Sequence, residues 1–242
     1  MVFYVQSNRF NDLNAKTKYT TAIADNGQIS KIILPDSSVV WLNSGSKITY
    51  NNNFSINNRE IALSGQAFFK VTKNEKIPLK VFCDQLEVRV LGTCFNVTAY
   101  PEDKNIVVAL ESGKVDMWNS KIKSFHYELN PGEMARYELL SGKVSLEEVN
   151  LKKFTSWKEG ILIFRDEPMA EVIPRLERRY NIDIEVAQAD IYQSVFTATI
   201  KNETLDEIFK SISFACSIHY TIIPGDTLSD KTRIVLKNKS HY

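Results

Sequence analysis

The C-terminal third of the chain repeats its own pattern at an offset of 36 residues, and this repeat constrains the fold more than any other feature of the sequence. Setting Ile161 against Thr197 aligns Met169, Val172, Ile173, Leu176 and Tyr180 with Leu205, Ile208, Phe209, Ile212 and Cys216. Both sets recur at i, i+3, i+4, i+7 and i+11, which places one apolar stripe on each of two helices. The same offset pairs Ile182, Ile184 and Val186 with Ile218, Tyr220 and Ile222, and both triplets alternate as half-buried strands do. Pro168 stands opposite Thr204, each near a helix start. A strand–helix–strand unit therefore occurs twice, and a last strand, Arg233–Leu236, follows the Pro224-Gly225-Asp226 turn.

From Tyr19 to about Val149 the pattern is different: short alternating stretches are broken by turn residues, with almost no helical spacing. Asn26-Gly27, Pro35-Asp36-Ser37, Ser112-Gly113 and Pro131-Gly132 punctuate the strands. Ser64-Gly65 does the same between candidate strands Arg59–Leu63 and Gln66–Val71. The expected fold is a mainly β N-terminal domain, residues 1–155, followed by an α+β C-terminal domain made of a duplicated βαβ unit, residues 156–242. The grammar changes between Leu151 and Gly160.

A length of 242 residues allows one large domain or two modest ones. With 30 Lys and Arg against 29 Asp and Glu, no whole-chain field draws the protein onto nucleic acid or anionic lipid, and no nucleic-acid partner is expected. No apolar run exceeds five residues (Met1–Val5, Ile106–Leu110), so any targeting or membrane segment would lie outside this sequence. Cys83, Cys94 and Cys216 sit in apolar patterns, as buried free thiols do.

Three histidines, His126, His219 and His241, show no HxH, HExxH or paired CxxC spacing, so no metal site is expected. No Gly-x-Ser-x-Gly elbow is present, Cys94 has no cue to a base, and Gly92, Gly113 and Gly132 open no phosphate-binding helix. Neither an enzyme nor a cofactor is expected. Arg175, Arg178 and Arg179, beside Glu171 and Glu177, read as a solvated helix face with an i, i+4 pair between Glu171 and Arg175. Trp41, Trp118 and Trp157 fit either a core or a sugar cleft.

Leu34-Pro35-Asp36-Ser37-Ser38-Val39-Val40-Trp41-Leu42-Asn43 resembles the LPDGT-x-VWLN signature of the extracytoplasmic part of FecR-type anti-sigma regulators. Gly65-Gln66-Ala67-Phe68-Phe69-Lys70-Val71 and Val90-Leu91-Gly92-Thr93-Cys94-Phe95-Asn96-Val97 are similar to that family's GEAYFEV and VLGT-x-FNV segments. Trp157-Lys158-Glu159-Gly160 and Leu176-Glu177-Arg178-Arg179-Tyr180-Asn181-Ile182 resemble its appended domain, related to the secretin and TonB short N-terminal domain, itself a duplicated βαβ fold. Ser37-Ser38 replaces the usual Gly-Thr, which puts the tight-turn geometry in question.

The resemblance implies a twisted, solenoid-like β array in the first domain and a periplasmic location within a single-pass inner-membrane protein. It implies two partners: the periplasmic signalling domain of an outer-membrane TonB-dependent transporter, and an extracytoplasmic-function sigma factor held through a cytoplasmic segment outside this sequence. A membrane helix would likewise lie outside it. Small sheets of the second domain leave edges, so partner recognition is expected by strand addition. The candidate edges are Val195, Phe196, Thr197, Ala198, Thr199 and Ile200, and Arg233, Ile234, Val235 and Leu236. The first segment alternates without charge, which an inner strand would do equally, and the sequence does not choose between the two. The alternative function is a periplasmic carbohydrate-binding module, with a glycan hydrolase third.

Overall fold

The computed structural model describes residues 17–119, 125–227 and 230–239; Met1–Val5 and His241 lie outside them. Thirteen described strands form one curled N-terminal sheet. In chain order they are β1 (Tyr19–Ile23), β2 (Ser30–Ile33), β3 (Val39–Leu42), β4 (Lys47–Asn51), β5 (Glu60–Lys70), β6 (Leu79–Cys83) and β7 (Leu86–Val90). Then come β8 (Cys94–Ala99), β9 (Asn105–Ser112), β10 (Val115–Asn119), β11 (His126–Leu129), β12 (Glu133–Glu138) and β13 (Val144–Glu148). The sheet runs β11-β10-β7-β6-β5-β8-β9-β12-β13, with β4 and β1, and β3 and β2, branching from β5.

Strand β5 joins the branches. Its first half lies between β4 and parallel β6, and its second half between β3 and β8. Ser64-Gly65 is therefore not a turn; one 11-residue strand runs through it. Gly65 has φ of 104°, and a Cβ there would lie 2.3 Å from Ser46 Oγ and 2.7 Å from Ser46 Cα. Only glycine admits this bend, because side chains are excluded sterically and by backbone conformation. Ser46 Oγ in turn accepts the N–H of Gln66 at 2.8 Å, which holds the strand at its bend.

Alternation sets the inner core: Ile61, Leu63, Ala67 and Phe69 of β5 pack with Val81, Val88, Phe95, Val97 and Val108. Beneath the β2–β3 turn, Arg59 is 1% exposed and donates through Nε to Asp36 Oδ2 at 2.8 Å, with further bonds to the carbonyls of Thr72 and Ile77. The other Asp36 oxygen accepts the Ser38 N–H at 2.9 Å. The turn closes with Ser37 N–H donating to the Leu34 carbonyl, and Ser37 adopts φ of 66° where the family signature has glycine. Ser37 thus keeps the tight turn at the cost of a left-handed serine.

The second part contains helix α1 (Lys152–Thr155), a 3₁₀ turn (Ser156–Glu159), β14 (Leu162–Pro168), α2 (Met169–Tyr180), β15 (Ile182–Val186), β16 (Val195–Ile200), α3 (Leu205–Ala215), β17 (Ile218–Ile223) and β18 (Thr232–Asn238). The 36-residue offset holds down to the caps. Pro168 and Thr204 are the two N-caps, and Asn181 and Ser217, just beyond the helices, have φ of 50° and 53°. Thr204 and Glu207 form a reciprocal capping box, which satisfies N–H groups the helix leaves unpaired. The strands of one unit do not pair with each other: β14 pairs antiparallel with β16, and the remaining strands form a sheet ordered β15-β18-β17. Met169, Val172, Ile173, Leu176, Ile208, Phe209 and Ile212 fill a second core between helices and strands.

Gly65→Ala is expected to lower stability by about 2 to 5 kcal/mol, combining the left-handed cost with overpacking, as measured by urea unfolding. A loss below half a kilocalorie would mean that Ser46 moves freely. Ser37→Gly, at an exposed site whose side chain makes no hydrogen bond among the described residues, is expected to raise stability by about 0.5 to 1 kcal/mol. Unchanged or reduced stability in the same assay would contradict a strain cost there.

Candidate functional site

The two candidate edge segments have different places. Strand β16 is in a two-stranded sheet with β14, so no described strand occupies its other side. Phe196 and Ile200 point into the core, while Val195 is 53% exposed and Thr197 and Thr199 face solvent. Asp166 N–H donates to Thr197 Oγ1 at 2.8 Å, and Arg165 Nη2 donates to Thr199 Oγ1 at 3.1 Å. The Val195 carbonyl accepts the Cys216 thiol at 3.7 Å, and the Ala198 carbonyl accepts Arg165 Nη1 at 3.3 Å.

Arg233, Ile234, Val235 and Leu236 are not an edge. They lie in β18, the central strand, antiparallel to β17 and parallel to β15. The Pro224-Gly225-Asp226 turn does bring β18 beside β17. Its other side is taken by β15, some 50 residues earlier in the chain, and a parallel non-local pairing leaves no local turn signal. Ile234 and Leu236 are accordingly buried, and the edges of this sheet are β15 and β17.

A second surface joins the two parts. The outward face of β3, β5 and β8 carries Trp41, Phe68 and Cys94, which pack against the second core, Phe68 being buried. Trp157, on the 3₁₀ turn and buried, donates its indole N–H to Asn96 Oδ1 at 2.9 Å. Gln66 Nε2 donates to the same oxygen at 3.2 Å, and Asn43 Nδ2 donates to Gln66 Oε1 at 2.8 Å. Asn96, fully buried, is thus bonded from both parts, by Gln66 and Thr98 of the first and by Trp157 of the second. Of the tryptophans, Trp157 therefore sits in this junction, and its N–H is spent on Asn96.

Arg178 makes a charged contact across the junction. Its guanidinium donates to both Asp103 oxygens, at 2.5 and 3.2 Å, and stacks 3.9 Å from the Tyr100 ring centroid. Burial raises the Asp103 pKa from its ordinary value, against the pull of Arg178. Arg175 and Arg178 are thus not part of the solvated face that the sequence suggests. Arg175 turns to buried Glu167 at 2.7 Å, and Glu171 lies 3.6 Å from Arg136 rather than pairing with Arg175. Two signals foreshadowed the junction: Phe68-Phe69 and Phe95-Asn96-Val97 place core-type side chains on successive residues of alternating strands, which requires both sheet faces to be covered.

The cysteines are unpaired. Cys83 is fully buried, and burial pushes its pKa up to about 12, whereas Cys94 and Cys216 are only half-buried. Asp116, His126 and Glu128 bring potential ligand atoms within 4.8 Å of one another through the β10–β11 pairing, a grouping that linear spacing hides. Glu128 is already engaged by Lys114 at 2.6 Å, so this trio reads as a surface ion-pair cluster.

The architecture is a curled β sheet with a duplicated βαβ unit seated on its outer face. The FecR protein family profile matches residues 17–116, and the FecR C-terminal profile matches residues 161–229. A crystal structure of a protein proposed to be an anti-sigma factor from Parabacteroides distasonis is 30% identical, with a TM-score of 0.80, covering 91% of this chain and all of that one. A second structure so described from the same organism gives the same identity and TM-score over 92% of this chain. No curated protein matches the chain. The chain belongs to the FecR-type anti-sigma factor family.

Arg178→Met and Asp103→Asn, singly and together, are expected to show a coupling energy of about 1 to 3 kcal/mol in a double-mutant cycle by denaturant unfolding. Additivity within about 0.3 kcal/mol would mean that this pair does not hold the junction.

Proposed function

We propose that this chain is the periplasmic sensor region of a transmembrane anti-sigma factor. In this reading it receives a signal from the signalling domain of an outer-membrane TonB-dependent transporter. That signal then controls an extracytoplasmic-function sigma factor through a cytoplasmic segment beyond a membrane helix. Family membership supports the sensor role, and the unpaired side of β16 is the observation that carries the docking reading. An uncharged strand with no described strand on one side and with outward Val195 and Thr199 suits β-augmentation by an incoming strand, although Val195 and Ala198 already offer their carbonyls to Cys216 and Arg165.

Two substitutions test the edge. Val195→Lys puts a charge on an exposed position, and Thr197→Pro disturbs the ladder. Each variant, once shown by circular dichroism to be folded, is expected to bind the transporter's isolated signalling domain at least about tenfold more weakly by calorimetry, or about 1.4 kcal/mol. Parental affinity in both would sink the edge as the docking site.

We also propose that residues 1–155 and 156–242 are separate folding units, because the second core draws one fully buried residue, Phe68, from the first part. A 156–242 fragment is expected to melt cooperatively, though with reduced stability because Trp157 loses Asn96. A molten fragment would make the second unit dependent on the first.

A further inference from the structure

Between α2 and the ends of β8, β9 and β12 lies a cleft of about 420 Å³, a volume typical of small-ligand pockets and placed, as such pockets often are, where two structural units meet. Its walls carry six cationic side chains against four carboxylates, an excess of two in a chain whose net charge is only +1. The carboxylates are all engaged: Asp103 and Glu102 by Arg178, Glu171 by Arg136, and buried Glu167 by Lys153 and Arg175 together. Lys104, just before β9, and Arg179, on α2, both line the cleft and have no acidic partner among the described residues; the Arg179 guanidinium lies 5.7 Å from the Tyr180 ring centroid. The exposed lining is largely apolar and includes Val107, Phe154, Leu162 and Pro174.

We propose that this cleft binds a ligand with a carboxylate and an apolar body, the carboxylate held by Lys104 and Arg179 and the body lying against Phe154 and Pro174. The chemistry follows from the surplus. Lys104 is exposed and Arg179 half-buried, and a carboxylate supplies the counter-charge that neither has while an apolar body covers the apolar wall. Burial lowers the pKa of Lys153 and pushes Arg175 down to about 10, and both cations are paired with Glu167, which leaves Lys104 and Arg179 as the cleft cations with no acidic partner among the described residues. The apolar wall selects against a bare inorganic anion, which would leave that surface wet. A ligand here touches both units at once, through Lys104 on the first and Arg179 on the second, and so bears on their relative position. The inference is independent of docking at β16.

The same chemistry is offered by a free aromatic acid and by the C-terminus of a polypeptide, and the test separates them. The ¹⁵N-labelled full chain is titrated with N-acetyl-phenylalanine, its uncharged amide, N-acetyl-Gly-Gly-Phe and inorganic phosphate, with calorimetry alongside the amide spectra. Saturable shifts confined to cleft residues are expected for the two carboxylates. The amide and phosphate are expected to bind at least tenfold more weakly, and Lys104→Gln/Arg179→Gln to weaken carboxylate binding at least tenfold. Should the double variant fail to fold, Lys104→Glu, at an exposed site, carries the comparison. Tighter binding of the tripeptide assigns a polypeptide terminus, and equal or weaker binding a free acid. The proposal is overturned by an absence of saturable shifts, by equal binding of the amide or phosphate, or by variants that bind like the parent.

Discussion

Strand β5 is the constraint on which the rest of the structure depends. A strand ordinarily has two neighbours, but β5 has four, because it bends at Gly65 and exchanges β4 and β6 for β3 and β8. The exchange requires a backbone conformation that Cβ-bearing residues resist and a contact with Ser46 that leaves no room for a side chain. Everything outward from it follows: the inner side chains of both halves share one core, and the branches curl the sheet around it. The buried Arg59–Asp36 pair sits just before β5 and ties the β2–β3 turn to the chain after it, at Thr72 and Ile77. Such a pair adds little net stability after desolvation, but neither partner can be left alone in the interior.

The bend also decides where the second part sits. Beyond Gly65 the outward positions of β5 and its neighbours are Gln66, Phe68, Trp41 and Asn96, a mixed apolar and amide surface. Apolar contacts supply its affinity for the second core, while the directional bonds through Asn43, Gln66, Asn96 and Trp157 fix its orientation. Arg178 on Asp103 and Tyr100 adds a second fixed point on another element. The C-terminal unit is therefore coupled to the N-terminal sheet through a short, largely buried set of contacts. The cleft lies beside this set, between its two fixed points, Trp157 and Arg178.

The sequence by itself determined the elements whose signals are local. The 36-residue repeat located both helices, their caps and their following strands, since helix stripes and cap residues are set within a few positions of the chain. Alternation likewise marked the N-terminal part as nearly all strand, although β13 is almost wholly exposed and shows little of it. The ordered signature segments were enough to indicate the family. Tertiary structure decided what depends on partners distant in sequence. A glycine that tolerates positive φ looks alike in a turn and in a strand bend, so Gly65 was resolved only by its neighbours. The alternation of β18 says that one face is buried but not which strand lies on either side, so its central place waited on parallel pairing with β15. The charges of α2 looked solvated because their counter-charges, Asp103 and Glu167, stand on other elements, and pairing across a junction is a property of three-dimensional proximity alone.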